Sequence, residues 1–291
     1  MNRRRFLTVA AATLAASARG ADAAMPAIWT GRAMGADARI VLHGADPTRA
    51  RHVFGRVEAE LGRVERHFSL HAESELRRLN RDGRLSYPAP EVLAVFHLSD
   101  RVHQATGGAF DPTIQPLWLA VATGCDTVAA RQAVGWSRVR VGADEIALDP
   151  GMALTFNGIA QGHAADRIAA LLRAEGFGDV LIDMGEVMAL GTNDARDWQA
   201  AIAAPDGAEL GRVGLRNRAL ATSSPMGTTI GGGAGHILHP KGAPARWSTI
   251  SVSAGSAAIA DALSTAFCLM EPAAIQRALS EFPEARIEAM I

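Results

Sequence analysis

The chain has 291 residues, 48% of them hydrophobic and 20% charged, which is ample for a buried core and excludes disorder over most of its length. A formal charge of −1 gives no support for nucleic-acid binding, which needs a concentrated basic field; only one of the 29 basic residues is a lysine, Lys241. Two cysteines, Cys125 and Cys268, cannot build a cysteine-rich zinc site or a disulfide framework, and Cys268 lies in an apolar run that suits a buried free thiol.

Residues 1–23 combine a basic start, a short apolar centre and the small-residue end Ala21-Asp22-Ala23, the pattern of a secretory signal peptide. The apolar centre is shorter than the ~20 residues that a permanent membrane helix requires, so no lasting span is expected. Arg3-Arg4-Arg5-Phe6-Leu7 is similar to a twin-arginine export signal, which predicts a periplasmic destination. Cleavage after Ala23 removes four arginines and one aspartate and takes the formal charge from −1 to −4.

The mature chain, residues 24–291, carries no repeat or long linker and reads as one unit. Residues 28–43 suggest two strands around a turn at 31–37. Val53, Phe54, Val57, Leu61 and Val64 recur at helical spacing over 47–67, opened by Asp46-Pro47. A second amphipathic helix is expected over 91–106, stopped by Gly107-Gly108, and a third over 160–175, stopped by Gly176. Strands are expected at 180–184, 198–203, 219–222 and 249–254, then helices over 257–270 and 272–280. Helices and strands mix without strict alternation, which predicts an α+β fold in a single compact domain, with mixed sheets and flanking helices.

Three segments can carry chemistry. On the helix over 257–270, Asp261, Ser264 and Thr265 fall together at spacing i, i+3, i+4. A carboxylate and two hydroxyls there are hard oxygen ligands suited to Mg²⁺ or Ca²⁺, although a solvated polar face gives the same pattern. The segment from Thr155 through Gly158 and Gln161 to His163 leads into a helix N-terminus, where uncovered backbone can hold a phosphate or a cation; a plain tight turn explains it equally well. The run Gly231 to Gly235, followed by His236 and Ile237, lets backbone approach a ligand beside a histidine able to act as a base; the alternative is a flexible hairpin tip. No serine-hydrolase or zinc-protease motif is present.

Taken in order, these segments and their neighbours resemble the ApbE family of FAD:protein FMN transferases. The resemblance runs through Met34-Gly35, residues 68–80, Gly107-Gly108-Ala109-Phe110-Asp111-Pro112-Thr113 and Asn157-Gly158-Ile159-Ala160-Gln161-Gly162. It continues through residues 180–186 and 219–224, then Gly235-His236-Ile237-Leu238-His239-Pro240, and ends at Ala260-Asp261-Ala262-Leu263-Ser264-Thr265-Ala266. Eight motifs in this order cover nearly all of the mature chain. The 107–116 segment, Gln161 and the arginine-type signal look most like a periplasmic subgroup serving nitrous-oxide respiration.

The resemblance implies an Mg²⁺-dependent enzyme that breaks the pyrophosphate of FAD. It joins FMN by a phosphoester to a threonine or serine of an acceptor flavoprotein with an FMN-binding domain, releasing AMP. Matching positions make Asp261 and Thr265 metal ligands with Ser264 beside them and the Gly158 carbonyl completing the set, with His236 and Asp261 as the catalytic pair. Met34, His71, Gly108, Ala109, Phe110, Thr155, Gln161 and Ile237 match positions that cradle FAD. The chain departs from the family pattern in carrying Thr155 for an aspartate, Gln161 for a lysine or glutamate, His71 for an aromatic residue and His239 for an aspartate. The changes at 155 and 161 remove one charge of each sign and bear on FAD and metal affinity. A non-catalytic FAD-binding accessory protein and an FAD pyrophosphatase releasing FMN and AMP are the rival readings. No lipid-anchor cysteine follows the signal, so a soluble periplasmic protein is expected.

Overall fold

The computed structural model describes residues 25–291; the expected signal segment, residues 1–23, lies outside the described residues. Strands β1 (Ala27–Ala33) and β2 (Ala36–Leu42) pair antiparallel, with Ala33 opposite Ala36. The turn spans only Met34 and Gly35, both at positive φ (49° and 81°), and not the longer stretch at 31–37 that the sequence suggests. Helix α1 (Pro47–Phe68) begins where the Asp46 carboxylate accepts from the backbone N–H groups of Thr48 and Arg49. Its Val53, Val57, Leu61 and Val64 are buried, as their spacing requires.

Helix α2 (Glu75–Asp82) has no apolar stripe long enough to announce it, but Ser74 caps it through the Arg77 N–H and Gly83 ends it at φ 70°. Strand β3 (Arg84–Ser86), helices α3 (Pro90–Ala105), α4 (Gln115–Thr123) and α5 (Thr127–Gln132), and strands β4 (Arg140–Val141) and β5 (Glu145–Ala147) follow. The three strands form a small sheet in the order β3-β5-β4. Next come helix α6 (Ala160–Ala174), strands β6 (Val180–Asp183) and β7 (Val187–Leu190), the hairpin β8 (Trp198–Ala203) and β9 (Glu209–Leu215), and β10 (Arg218–Ser223). The chain closes with a short hairpin β11 (Thr229–Ile230) and β12 (Ala234–Gly235), then β13 (Ile250–Ala254), α7 (Ala257–Phe267), α8 (Pro272–Ser280) and β14 (Arg286–Met290).

Seven strands make the main sheet, in the order β1-β2-β6-β7-β10-β13-β14, with every neighbouring pair antiparallel. Side-chain alternation splits its residues between two cores. Leu181, Val187, Ala189 and Leu220 pack with Trp198, Ala200, Ile202 and Leu215 of the β8–β9 hairpin. On the opposite face Ile182, Met188, Leu190, Ala219, Ala221 and Val252 join the larger core that includes α1, α6 and α7. The fold is the α+β arrangement expected, with helices on one face of the sheet and a hairpin on the other.

Helix α7 lies between α6 and the strands β10 and β13, and also meets α3. Its alanines at 257, 258, 260, 262 and 266 allow that close approach. The polar face is therefore not a solvated one: Asp261 is 3% exposed and Ser264 0%. The helix also ends at Phe267, three residues before the end that periodicity suggests. Cys268 is buried and free, Cys125 exposed and free, and burial pushes the Cys268 thiol up to about 12.

Candidate functional site

The site begins at the seam between α6 and α7. Asp166 of α6 caps α7: its carboxylate accepts from the Ser256 hydroxyl (2.6 Å) and the N–H groups of Ala257 (2.8 Å) and Ala258 (3.0 Å). Gly162 lets the helices touch, since a Cβ there would lie 2.3 Å from the Ala257 carbonyl oxygen. Its own N–H donates to Asp261 Oδ2 at 3.3 Å. Burial disfavours the charged form of Asp261 and pushes its carboxyl up to about 7, against the pull of that hydrogen bond. One further carboxylate faces it from the β6–β7 turn, where Gly185 has φ 97°. Glu186 is buried, and its Oε2 has no hydrogen-bond partner among the described residues. Burial first, then the Asp261 and Asp183 carboxylates, hold Glu186 well above the ordinary carboxylate range.

Hydroxyls complete this side. Ser223, the last residue of β10, places its Oγ 2.8 Å from Ser264 Oγ and 3.3 Å from Thr265 Oγ1. Gly158 backs onto Thr265 so closely that a Cβ would come 3.1 Å from Thr265 Oγ1. Asp261, Ser264, Thr265 and Gly158 are thus together, as the sequence leads one to expect. Ser223 and Glu186 join them without having been singled out; both lie inside family motifs, but neither has a spacing that marks it. Among the described residues no three His, Cys, Asp or Glu side chains form a metal-binding group. The donors here are of mixed type: carboxylate, hydroxyl and main-chain carbonyl.

The loop entering α6 is tied down on both sides. The Thr155 N–H donates to the Pro112 carbonyl at 2.8 Å, and Gln161 Nε2 donates to the Met184 carbonyl at 3.2 Å. Phe156 packs edge-on against Phe68 and Phe96, with ring centroids 5.6 and 5.0 Å apart, which links the loop to the end of α1. Met34 donates its N–H to Glu65 Oε1 at 3.1 Å, and the exposed His71 follows α1 in a loop shaped by Ser69 Oγ. Gly108 (φ 83°) packs on His103, whose Nδ1 lies 2.8 Å from the Phe110 carbonyl. Ala109 and Phe110 turn their side chains into the core, so what they offer a ligand is backbone.

His236 is held by residues just past the end of β10. Its backbone N–H donates to the carbonyls of Pro225 (2.9 Å) and Thr228 (3.1 Å). Ring Nδ1 faces the same two oxygens at 3.0 and 3.1 Å. Carbonyls only accept, so Nδ1 carries the hydrogen and Nε2 is the nitrogen that takes a proton. From α4, Trp118 Nε1 donates to the His236 carbonyl at 3.1 Å. The glycine run is a short hairpin packed at both ends, since a Cβ at Gly231 would collide with the Val121 carbonyl and one at Gly235 with that of Pro225, while Gly232 and Gly233 between them are exposed. The chain itself joins the two halves. Ser223 bonds the α7 hydroxyls, and two residues later Pro225 holds His236. Residues 34–291 match the model of the ApbE family.

This chain belongs to the ApbE family. An FAD:protein FMN transferase of Klebsiella pneumoniae (strain 342) is 25% identical over 297 aligned residues, covering 91% of this chain and 85% of its own length. The FAD:protein FMN transferase of Salmonella typhimurium is 26% identical over 254 residues, covering 78% and 73%. Among solved structures, the flavin transferase ApbE from Vibrio cholerae superposes with a TM-score of 0.76 at 22% identity, over 89% of this chain and 90% of that one. The ApbE protein of Thermotoga maritima gives 0.78 at 22% identity, over 92% and 96%. At that identity the superpositions speak for the fold, and the ApbE fold is the one this chain adopts.

Proposed function

We propose that this chain is an FAD:protein FMN transferase, moving FMN from FAD to a threonine or serine hydroxyl of an acceptor flavoprotein and releasing AMP. One observation carries the reading: a histidine with a fixed tautomer and a buried carboxylate–hydroxyl cluster are tied to the same short stretch of chain, Ser223 to Pro225. In the reaction the acceptor oxygen attacks the FMN phosphorus, the pyrophosphate P–O bond breaks, and AMP leaves with the bridging oxygen. The proton of the acceptor hydroxyl passes to His236 Nε2.

The donor set fits a hard divalent cation. Asp261, Thr265, Ser264 and the Gly158 carbonyl offer only oxygen, and Glu186 keeps a partnerless buried oxygen close by. Bound there, Mg²⁺ would neutralise charge on the pyrophosphate. The Thr155 loop, Gln161, Met34, His71, the backbone of Gly108 to Phe110, and Ile237 are the residues assigned to FAD. The reading places the enzyme in the periplasm, on the strength of the arginine pair Arg3-Arg4, and takes its acceptor from the nitrous-oxide respiration system; cell fractionation that finds the full chain in the cytoplasm overturns that placement. The deciding experiment mixes the protein with FAD, Mg²⁺ and an FMN-binding domain and weighs the acceptor. A covalent FMN adduct that disappears with EDTA and in Asp261→Asn supports the reading. AMP and FMN released with no adduct identify a pyrophosphatase instead, and FAD bound unchanged identifies a carrier.

A further inference from the structure

Beside the His236 segment the surface opens into a groove of about 500 Å³, lined by Met226, Leu238, His239, Pro244, Arg246 and Trp247. The residues flanking His236, Gly235 and Ile237, also border it. Of the residues assigned to FAD only Ile237 lines it; Met34, His71, Gly108, Ala109, Phe110, Thr155 and Gln161 do not. Its walls are largely apolar, and Met226 in them is 54% exposed. The chain segment that forms it carries no acid of its own. Residues 210–260 contain no aspartate or glutamate, in a chain with 30 of them. Lys241 stands exposed at the rim, and the exposed Arg131 lays its guanidinium against the Gly242 turn, where a Cβ would collide with it. Glu271, the acid that does approach, is paired with Arg246.

An apolar floor, a cationic rim and a border shared with the candidate base together describe a seat for a peptide segment. We propose that this groove docks the acceptor protein, taking an exposed acidic segment that seats an apolar side chain between Met226 and Trp247 and brings its hydroxyl to His236. The inference rests on the transferase reading. Opposite charge at the rim steers the segment and fixes its direction, while the apolar contact supplies most of the hold.

The test uses the full chain loaded with FAD and two short fluorescein-labelled peptides. Each carries one threonine and one leucine, flanked by aspartates in one peptide and by lysines in the other. Fluorescence anisotropy at low salt should show the acidic peptide bound at least about tenfold more tightly, the preference shrinking as salt screens the rim. Arg131→Glu combined with Lys241→Glu should abolish the preference, and Met226→Asp should weaken both peptides; the affinity for FAD and the melting temperature should stay put in both variants. Equal binding of the two peptides, or a preference that survives the double reversal, overturns the proposal. So does a loss of FAD affinity in either variant, which would make the groove a flavin subsite. A dimer in sedimentation that Lys241→Glu dissolves would give the groove to a second copy of the chain, and overturn it too. The two readings fail separately. Peptide preference without an FMN adduct on a protein acceptor sinks the transferase, whereas an adduct formed with no peptide preference sinks the groove.

Discussion

Asp261 and His236 serve one candidate site but are held by different means. Asp261 stands on a helix packed between another helix and a sheet, with backbone against backbone at Gly162 and a carboxylate cap at Asp166. His236 stands in a connection between β12 and β13, half-buried, oriented by two carbonyls and a tryptophan N–H. The first arrangement is inherited from the core, so damaging it damages the fold. The second is local, so it can be lost with the fold intact. Charge that must hold a metal needs the low-dielectric, preorganised place; a base that must receive a proton from an arriving protein needs the accessible one.

The largest effect should come from breaking the seam. In Gly162→Val the added side chain meets the Ala257 carbonyl at the helix contact, where neither backbone can retreat. Overpacking costs roughly 1–3 kcal/mol and occasionally more, and a collision with main-chain atoms belongs at the upper end. Chemical denaturation should show that loss, and metal affinity should fall with it because Asp261 moves with α7. A variant as stable as the parent would mean that the two helices can slide, and that the seam is not the rigid half of the comparison.

The next largest separates function from fold. His236→Ala removes the proposed proton acceptor from a half-buried connection outside the main core. Transfer should fall by about 10²–10⁴-fold, the usual contribution of a positioned base, and rising pH should restore part of it as the acceptor hydroxyl loses its proton unaided. The melting temperature and FAD affinity should be unchanged. Transfer at the parent rate at neutral pH would leave the histidine a merely structural role.

Why the two halves were unequally legible follows from the same contrast. The spacing of Asp261, Ser264 and Thr265 is visible in the chain, but a helical wheel assigns a polar face to solvent by default. Only the layer order, α6 then α7 then sheet, buries it. Asp166 and Gly162 were invisible as partners because their roles depend on the contact between helices distant in sequence. Helix α2 gives no periodic signal because its residues Glu75 to Asp82 are mostly charged, and what marks it is the Ser74 cap and not an apolar stripe. Strand β9 (Glu209–Leu215) lacks a run of alternating hydrophobics, and it pairs because β8 presents a free edge. The histidine, by contrast, was legible as a candidate from its place after a glycine run, while its tautomer depends on carbonyls eight and eleven residues upstream.

A pH titration sharpens the seam side. His163, next to Gly162, packs edge-on against Phe68 at 5.6 Å, and its Nε2 is buried without a partner among the described residues. Burial, with help from the Arg167 charge, lowers its pKa from 6.5 to about 4. The unfolded chain therefore binds a proton that the folded one refuses. The stability that neutral His163 contributes is complete above pH 6.5 and is lost as the pH falls toward 4, a total of roughly 3 kcal/mol. Denaturation curves at several pH values should show that slope, and His163→Phe should flatten it. An unchanged slope in the variant would place the acid sensitivity elsewhere.

The smallest effect tests how the histidine is aimed. Trp118 reaches from α4 to the His236 carbonyl with one N–H, and Phe in its place keeps most of the ring's packing while removing that donor. A single neutral hydrogen bond contributes about 1 kcal/mol, so Trp118→Phe should lower kcat by about five- to tenfold if the bond serves to hold the ring in register with the reacting phosphorus. Affinity for FAD should not change, because the bond that is removed goes to the main chain of His236 and not to a side chain assigned to the flavin. The pH profile of transfer should keep its shape, since Nδ1 remains held by Pro225 and Thr228 and the proton-accepting nitrogen is still Nε2. That combination, a lower rate with an unshifted profile, is what a positioning role predicts and a change in basicity does not. A shifted profile would mean that Trp118 tunes the ring's proton affinity, and a rate equal to the parent's would mean that the two carbonyls alone are enough to aim it.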